Sequence, residues 1–104
     1  MLCNHCLILD CHEFYKKYRA TGKPAPQNGI FSIQPDGLQK AMQVYCEFND
    51  KGGWTRIQHR SSDDISFDRT WEEYKWFFGN THQDYWIGLE PLYYLTQICT
   101  KDCK

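Results

Sequence analysis

The 104-residue chain has no Asn-x-Ser/Thr sequon, so N-linked glycosylation does not help to locate it. No apolar run approaches the roughly 20 residues of a membrane-spanning helix. Leu7-Ile8-Leu9 is too short for the apolar region of a signal peptide and lacks a basic flank, so no export signal is visible. There is no excess of charge of either sign. The 12 basic and 13 acidic residues are mixed along the chain and leave a net charge of −1. That balance disfavours nucleic-acid binding, and the short pairs Lys16-Lys17 and Glu72-Glu73 read as solvated helix faces. Catalytic signatures are missing as well. His5, His12, His59 and His82 are scattered, and no His-Glu-x-x-His, Gly-x-Ser-x-Gly or phosphate-cradling glycine loop occurs. Cys11 and His12 are neighbours, but on a helix their side chains diverge by about 100°, which excludes a nucleophile–base pair. Asp36, Asp63, Asp64 and Asp68 are too few for calcium, which takes about six oxygen ligands, and read as a solvated polar loop. No repeat or low-complexity stretch is present. The chain is expected to be no enzyme and to hold no cofactor.

Aromatic residues and cysteine are abundant, with 4 Trp, 7 Tyr, 6 Phe and 6 Cys. Large rings bury much surface per residue, so a single small domain can build a core from them. At this length the core is marginal, and covalent cross-links are the usual remedy.

Residues 1–9 form a tail carrying Cys3 and Cys6. The pattern from Asp10 to Arg19 predicts a helix capped by Asp10, with Phe14, Tyr15 and Tyr18 near one face. Residues 21–29 contain two prolines and two glycines and read as a loop. Ile30–Gln34 predicts a strand with Phe31 and Ile33 on one face, and Pro35-Asp36-Gly37 a turn. Ala41–Phe48 predicts a second strand with Val44, Cys46 and Phe48 facing one way. Residues 49–53 close a hairpin onto a strand over Trp54–His59 with Ile57 inward. Ser61–Ser66 reads as irregular. Thr70–Phe77 predicts a helix capped by Thr70, with Trp71, Tyr74 and Phe78 as its apolar stripe. After a loop over Gly79–His82, Tyr85–Gly88 predicts a short strand and Pro91–Gln97 a helix. The class is α+β with a small antiparallel sheet.

The segments Asp10-Cys11, Gly29-Ile30-Phe31-Ser32-Ile33-Gln34-Pro35, Val44-Tyr45-Cys46, Gly52-Gly53-Trp54-Thr55-Arg56-Ile57-Gln58, Phe67-Asp68-Arg69-Thr70-Trp71, Phe78-Gly79-Asn80 and Tyr85-Trp86-Ile87-Gly88-Leu89-Glu90 follow one another in a specific order. In that order the chain resembles the N-terminal half of a fibrinogen C-terminal-like domain over about residues 10–97. Gly88-Leu89-Glu90 and Leu95-Thr96-Gln97 are nearest in flavour to a fibrinogen-like protein. The resemblance implies a secreted, non-enzymatic recognition or structural module with protein or glycan ligands. It implies a disulfide between Cys11 and Cys46. It also implies structural roles for Gly53, Trp54, Trp71, Tyr74, Phe78, Gly79, Trp86, Gly88 and Leu89, with the aromatic and leucine side chains as core and packing residues. The family's calcium site and ligand pocket belong to the other half of its domain, so no binding residue carries over. A half-domain is further expected to expose an apolar face and a sheet edge, and to self-associate.

The chain departs from the family pattern at three places. The family usually has a small or apolar residue where Arg56 stands, a glycine where Phe77 stands, and an Asp-Gly turn where Asp63-Asp64 stands. A positive φ at Phe77 or Asp63 would cost about 1 kcal/mol or more. Residues 98–104 form a second tail, and Cys3, Cys6, Cys99 and Cys103 fall outside the pattern. They leave two rival readings. One is a zinc-stabilised intracellular module in which the four thiolates bind the metal. The other is a thiol oxidoreductase using Cys3 and Cys6. A disulfide between the termini or to another chain is the expected alternative.

Overall fold

The computed structural model describes residues 8–102, the stretch 98–102 through its backbone only. Helix α1 spans Cys11–Arg19. Asp10 caps it as the sequence predicts, its carboxylate accepting the Glu13 N–H at 2.8 Å. Glu13 reaches back to accept the Leu9 N–H at 2.8 Å.

Strands β1 (Gly29–Ile33), β2 (Met42–Asn49) and β3 (Gly52–Thr55) make one antiparallel sheet in that order. The β2–β3 hairpin closes with Asn49 opposite Gly52, and the Asn49 side chain accepts the N–H groups of both Lys51 and Gly52. Cys46 stands opposite Gly29 on one side and Thr55 on the other, at the centre of the sheet. Alternation places Val44 and Cys46 on the covered face, where they pack with Cys11, Ile33 and Ile87. Phe14 of α1, Phe31 and Phe48 extend this core as a ring cluster with centroids 4.8–5.9 Å apart.

The predicted strand over Trp54–His59 is two strands. β3 ends at Thr55, and Gln58–His59 forms β4 in a second sheet ordered β4-β6-β5, with β5 at Phe78–Gly79 and β6 at Tyr85–Trp86. At the changeover the Arg56 N–H still donates to Tyr45 O, but its carbonyl accepts from the Tyr85 phenol. The next carbonyl, of Ile57, accepts the Ile87 N–H. Its backbone therefore belongs to the second sheet, and the Ile57 side chain is 40 % exposed rather than inward.

The predicted helix over Thr70–Phe77 is also shorter. Helix α2 covers only Trp71–Tyr74, opened by a capping box between Thr70 and Glu73. It stops because its last carbonyls are taken by other elements. Tyr74 O accepts from the Trp86 indole N–H at 2.7 Å, and Lys75 O from the Glu90 N–H at 3.0 Å. Helix α3 runs Leu89–Asp102, beginning before the predicted Pro91. Among the described residues no non-glycine position has positive φ, so Phe77 and Asp63 carry none of the expected strain.

Candidate functional site

Cys11 and Cys46 form a disulfide across 35 residues, fastening the first turn of α1 to the centre of the sheet. The two helix–sheet layers come close enough there that Gly53 has no room for a side chain. A Cβ on Gly53 would lie 2.8 Å from the Cys11 carbonyl and 2.9 Å from the Phe48 ring. The Gly53 N–H donates to His12 Nδ1, 3.2 Å away, and the Cys11 N–H to Thr55 Oγ1.

The second sheet is held by a buried carboxylate. Asp84 is 1 % exposed. It accepts five hydrogen bonds: from the N–H and hydroxyl of Ser61, the N–H and hydroxyl of Ser62, and His59 Nδ1, all at 2.8–3.0 Å. His59 Nδ1 also faces the Gln83 carbonyl, so this nitrogen carries the proton. The Ser61 N–H leads in holding the Asp84 carboxyl far below the usual carboxylate range; burial opposes it, and the two hydroxyls and the Ser62 N–H add to it. Serine, histidine and aspartate thus meet here without the roles of a catalytic triad. Both hydroxyls and the imidazole donate to one carboxylate, so the hydroxyl protons point away from any base. The cluster is a structural clamp on the loop after β4.

Beside it lies a second aromatic cluster. Phe67 and Phe78 meet edge to face at 5.3 Å, Tyr74 lies against Phe78 and Trp86, and the Arg69 guanidinium covers Phe78 at 4.2 Å. Of the positions expected to serve as core, Phe78 is buried and Tyr74 and Trp86 are partly so. Trp54 and Trp71 are not core, being 50 % and 72 % exposed. Trp54 sits on an edge strand opposite Glu47, and Trp71 opens a helix of four residues too short to turn its whole stripe inward. Gly79 and Gly88 both adopt positive φ. At both the requirement is also spatial, since a Cβ would crowd the Asp84–Tyr85 backbone at Gly79 and would lie 2.7–2.9 Å from the Trp76–Phe77 backbone at Gly88. Leu89 opens α3 and is partly buried, while Tyr93, one turn on, is 56 % exposed.

A groove of about 540 Å³ lies between the loop 37–42, the segment Trp76–Phe77 and the first turns of α3. Gly37, Leu38, Met42, Phe77, Pro91 and Tyr94 give it apolar walls, with Gln39 and Lys40 at the polar side. Trp76, 56 % exposed, stands at its edge. Phe77 is tied to the interior by its contact with Tyr85 at 5.4 Å. A groove with this lining can take an apolar side chain or a sugar face, and it presents no group poised for bond making. The sequence singled out Gly37, Phe77 and Pro91 among these, but none of the lining residues as a binding residue. Their only signal is the pair of apolar residues in a short turn-flanked loop and the phenylalanine at a usual glycine position.

Among the described residues no group of three or more His, Cys, Asp or Glu is arranged to hold a metal ion. Asp36, Asp63, Asp64 and Asp68 are not brought together in such a group. Cys3, Cys6 and Cys103 lie outside the described residues, as does the Cys99 side chain, so the zinc and thiol readings rest on positions outside them. No helix among the described residues is long and apolar enough to cross a membrane.

Residues 8–104 match the family described as "Fibrinogen beta and gamma chains, C-terminal globular domain". The chain belongs to this family. Mouse Angiopoietin-4 is 43 % identical over 70 residues, covering 66 % of this chain and 14 % of that protein. Human Fibroleukin is 33 % identical over 94 residues, covering 89 % of this chain and 20 % of that protein. The fibrinogen-like globe domain of human ANGPTL2 superposes with a TM-score of 0.68 at 38 % identity, covering 86 % of this chain and 39 % of that one. The chain therefore spans well under half the length of the relatives it matches. The α+β class and the small antiparallel sheets agree with that neighbour.

Proposed function

We propose that this chain is a non-enzymatic extracellular recognition or structural module that takes protein or glycan ligands. The observation that carries the reading is the coincidence of the family match over residues 8–104 with a groove that is apolar and chemically inert. The disulfide supports the location, because such bonds persist in oxidising surroundings. In this reading the calcium site and ligand pocket typical of the family lie outside the matched part of the domain, and the chain's own contribution is scaffold plus groove. Its exposed Trp71, Trp76 and Tyr93 favour association with a second protein surface, including another copy of the chain.

The test is retention of the disulfide-bonded chain on immobilised extracellular proteins and glycans, compared with a Trp76→Ala, Tyr94→Ala double variant of unchanged thermal stability. Saturable retention that the double variant loses supports the reading. Equal retention of both chains, or turnover of a substrate by the parent chain, overturns it.

A further inference from the structure

The loop that leads into β1 ends in Asn28-Gly29, and the structure gives this dipeptide an unusual setting. Asn28 is exposed, while Gly29 is the first residue of β1, opposite Cys46. The Asn28 side-chain oxygen accepts the Phe48 N–H at 2.7 Å, in place of a further rung of the β1–β2 ladder. That bond withdraws electron density from the amide carbon and leaves the Nδ2 amine as the leaving group. Gly29 has no Cβ beside its own nitrogen to hinder the approach to Asn28 Cγ.

We infer that Asn28 is a site of spontaneous deamidation, a water-consuming covalent modification at the margin of the disulfide-bearing sheet. The Gly29 backbone nitrogen gives its proton to solvent base and bonds to Asn28 Cγ. The Cγ–Nδ2 bond breaks and ammonia departs, leaving a five-membered imide. Water then adds to one of the two imide carbonyls. Opening at Cγ gives aspartate at position 28 with the main chain intact. Opening at the main-chain carbonyl gives isoaspartate, in which the chain runs through the former side chain. The sum is one water consumed and one ammonia released, with no change of oxidation state.

The two products differ at Phe48. A carboxylate at position 28 in the normal chain still accepts the Phe48 N–H, now with a charge. The isoaspartate product adds a backbone methylene immediately before Gly29, so Gly29 cannot keep its place opposite Cys46 while position 28 reaches Phe48. The modification therefore works as a slow clock that loosens the start of β1.

The experiment uses the intact disulfide-bonded chain, held at neutral and mildly alkaline pH and sampled over weeks by peptide mapping with isoaspartate detection. The peptide spanning 28–29 should gain about 1 Da and divide into aspartate and isoaspartate forms, faster at the higher pH. The peptides holding Asn49 and Asn80, each followed by a residue with a side chain, should stay unchanged. Gly29→Ala should slow the reaction by about tenfold or more, because a Cβ restricts the approach. Retention of Asn28 in the folded chain, while the reduced and denatured chain loses it in the same buffer, would overturn the inference. So would equal rates in the parent and Gly29→Ala chains.

Discussion

The phenol of Tyr85 donates to the carbonyl of Arg56 at 2.6 Å, from a side chain with no solvent exposure. The same oxygen accepts the Tyr45 N–H at 3.0 Å. One hydroxyl thus closes the gap left where the chain changes sheets, satisfying a donor in β2 and an acceptor just after β3. Burial is the leading cause that raises the Tyr85 pKa, opposed by the Tyr45 N–H. Arg56 is kept outside this joint, its guanidinium stacked 4.2 Å from the Tyr45 ring and paired with Glu47 at 2.8 Å. The arginine therefore leaves the joint undisturbed.

Tyr85→Phe keeps the ring and removes only the hydroxyl. It leaves Arg56 O and Tyr45 N–H without this partner in a buried place, and should lower unfolding free energy by about 1–3 kcal/mol. Urea denaturation of the two chains measures it. Equal midpoints would show that the joint is closed by other contacts.

Asp84 predicts a specific acid sensitivity. Its folded pKa is lowered, so the stability it contributes is complete above the ordinary aspartate value of about 3.9 and is lost as pH falls from there toward the folded value. Asp84→Asn should be less stable at neutral pH and should show a flatter loss between about pH 4 and pH 2. Thermal midpoints followed down that range test the sign.

Gly88→Ala should destabilise the chain by about 1 kcal/mol or more, from the positive φ and the approach of the Trp76 backbone together. The same substitution at Gly22, where φ is also positive but a Cβ would meet nothing within 4 Å, should carry the conformational cost alone. Comparing the two by thermal unfolding separates backbone strain from crowding.

The groove makes a third kind of prediction. An apolar fluorescent dye should bind the chain, and Trp76→Ala with Tyr94→Ala should weaken that binding by about tenfold. Trp71→Ala should leave dye binding and stability within error, because Trp71 is the most exposed of the large apolar side chains and lines no part of the groove.

Much of this was legible along the chain, for physical reasons that differ by element. The caps at Asp10 and Thr70 and the hairpin at Asn49–Gly53 are local, set by residues within a few positions of one another. The inward set Val44, Cys46 and Ile33 follows from strand alternation. The break between β3 and β4 is not local, because it depends on the Tyr85 hydroxyl, 29 residues away from Arg56. The Asp84 clamp was equally hidden: its serine partners lie 22 and 23 residues upstream, in a stretch whose composition marks only a polar loop. Trp71 misled because a helix stripe predicts burial only when the helix is long enough to lie along the core. The groove could not be assembled from the sequence, since its walls come from three separated segments.

The central claim is a disulfide-fastened fibrinogen-like scaffold, and the Cys11–Cys46 bond tests it most directly. In the chain-entropy account, closing a loop of this length stabilises by about 4 kcal/mol, so its loss would be felt across the sheet. The measurement is peptide mapping of the full chain purified under oxidising conditions without reductant. The account predicts one linked peptide pair containing Cys11 and Cys46. Recovery of both as free thiols, or of either bonded to a different cysteine, would contradict it.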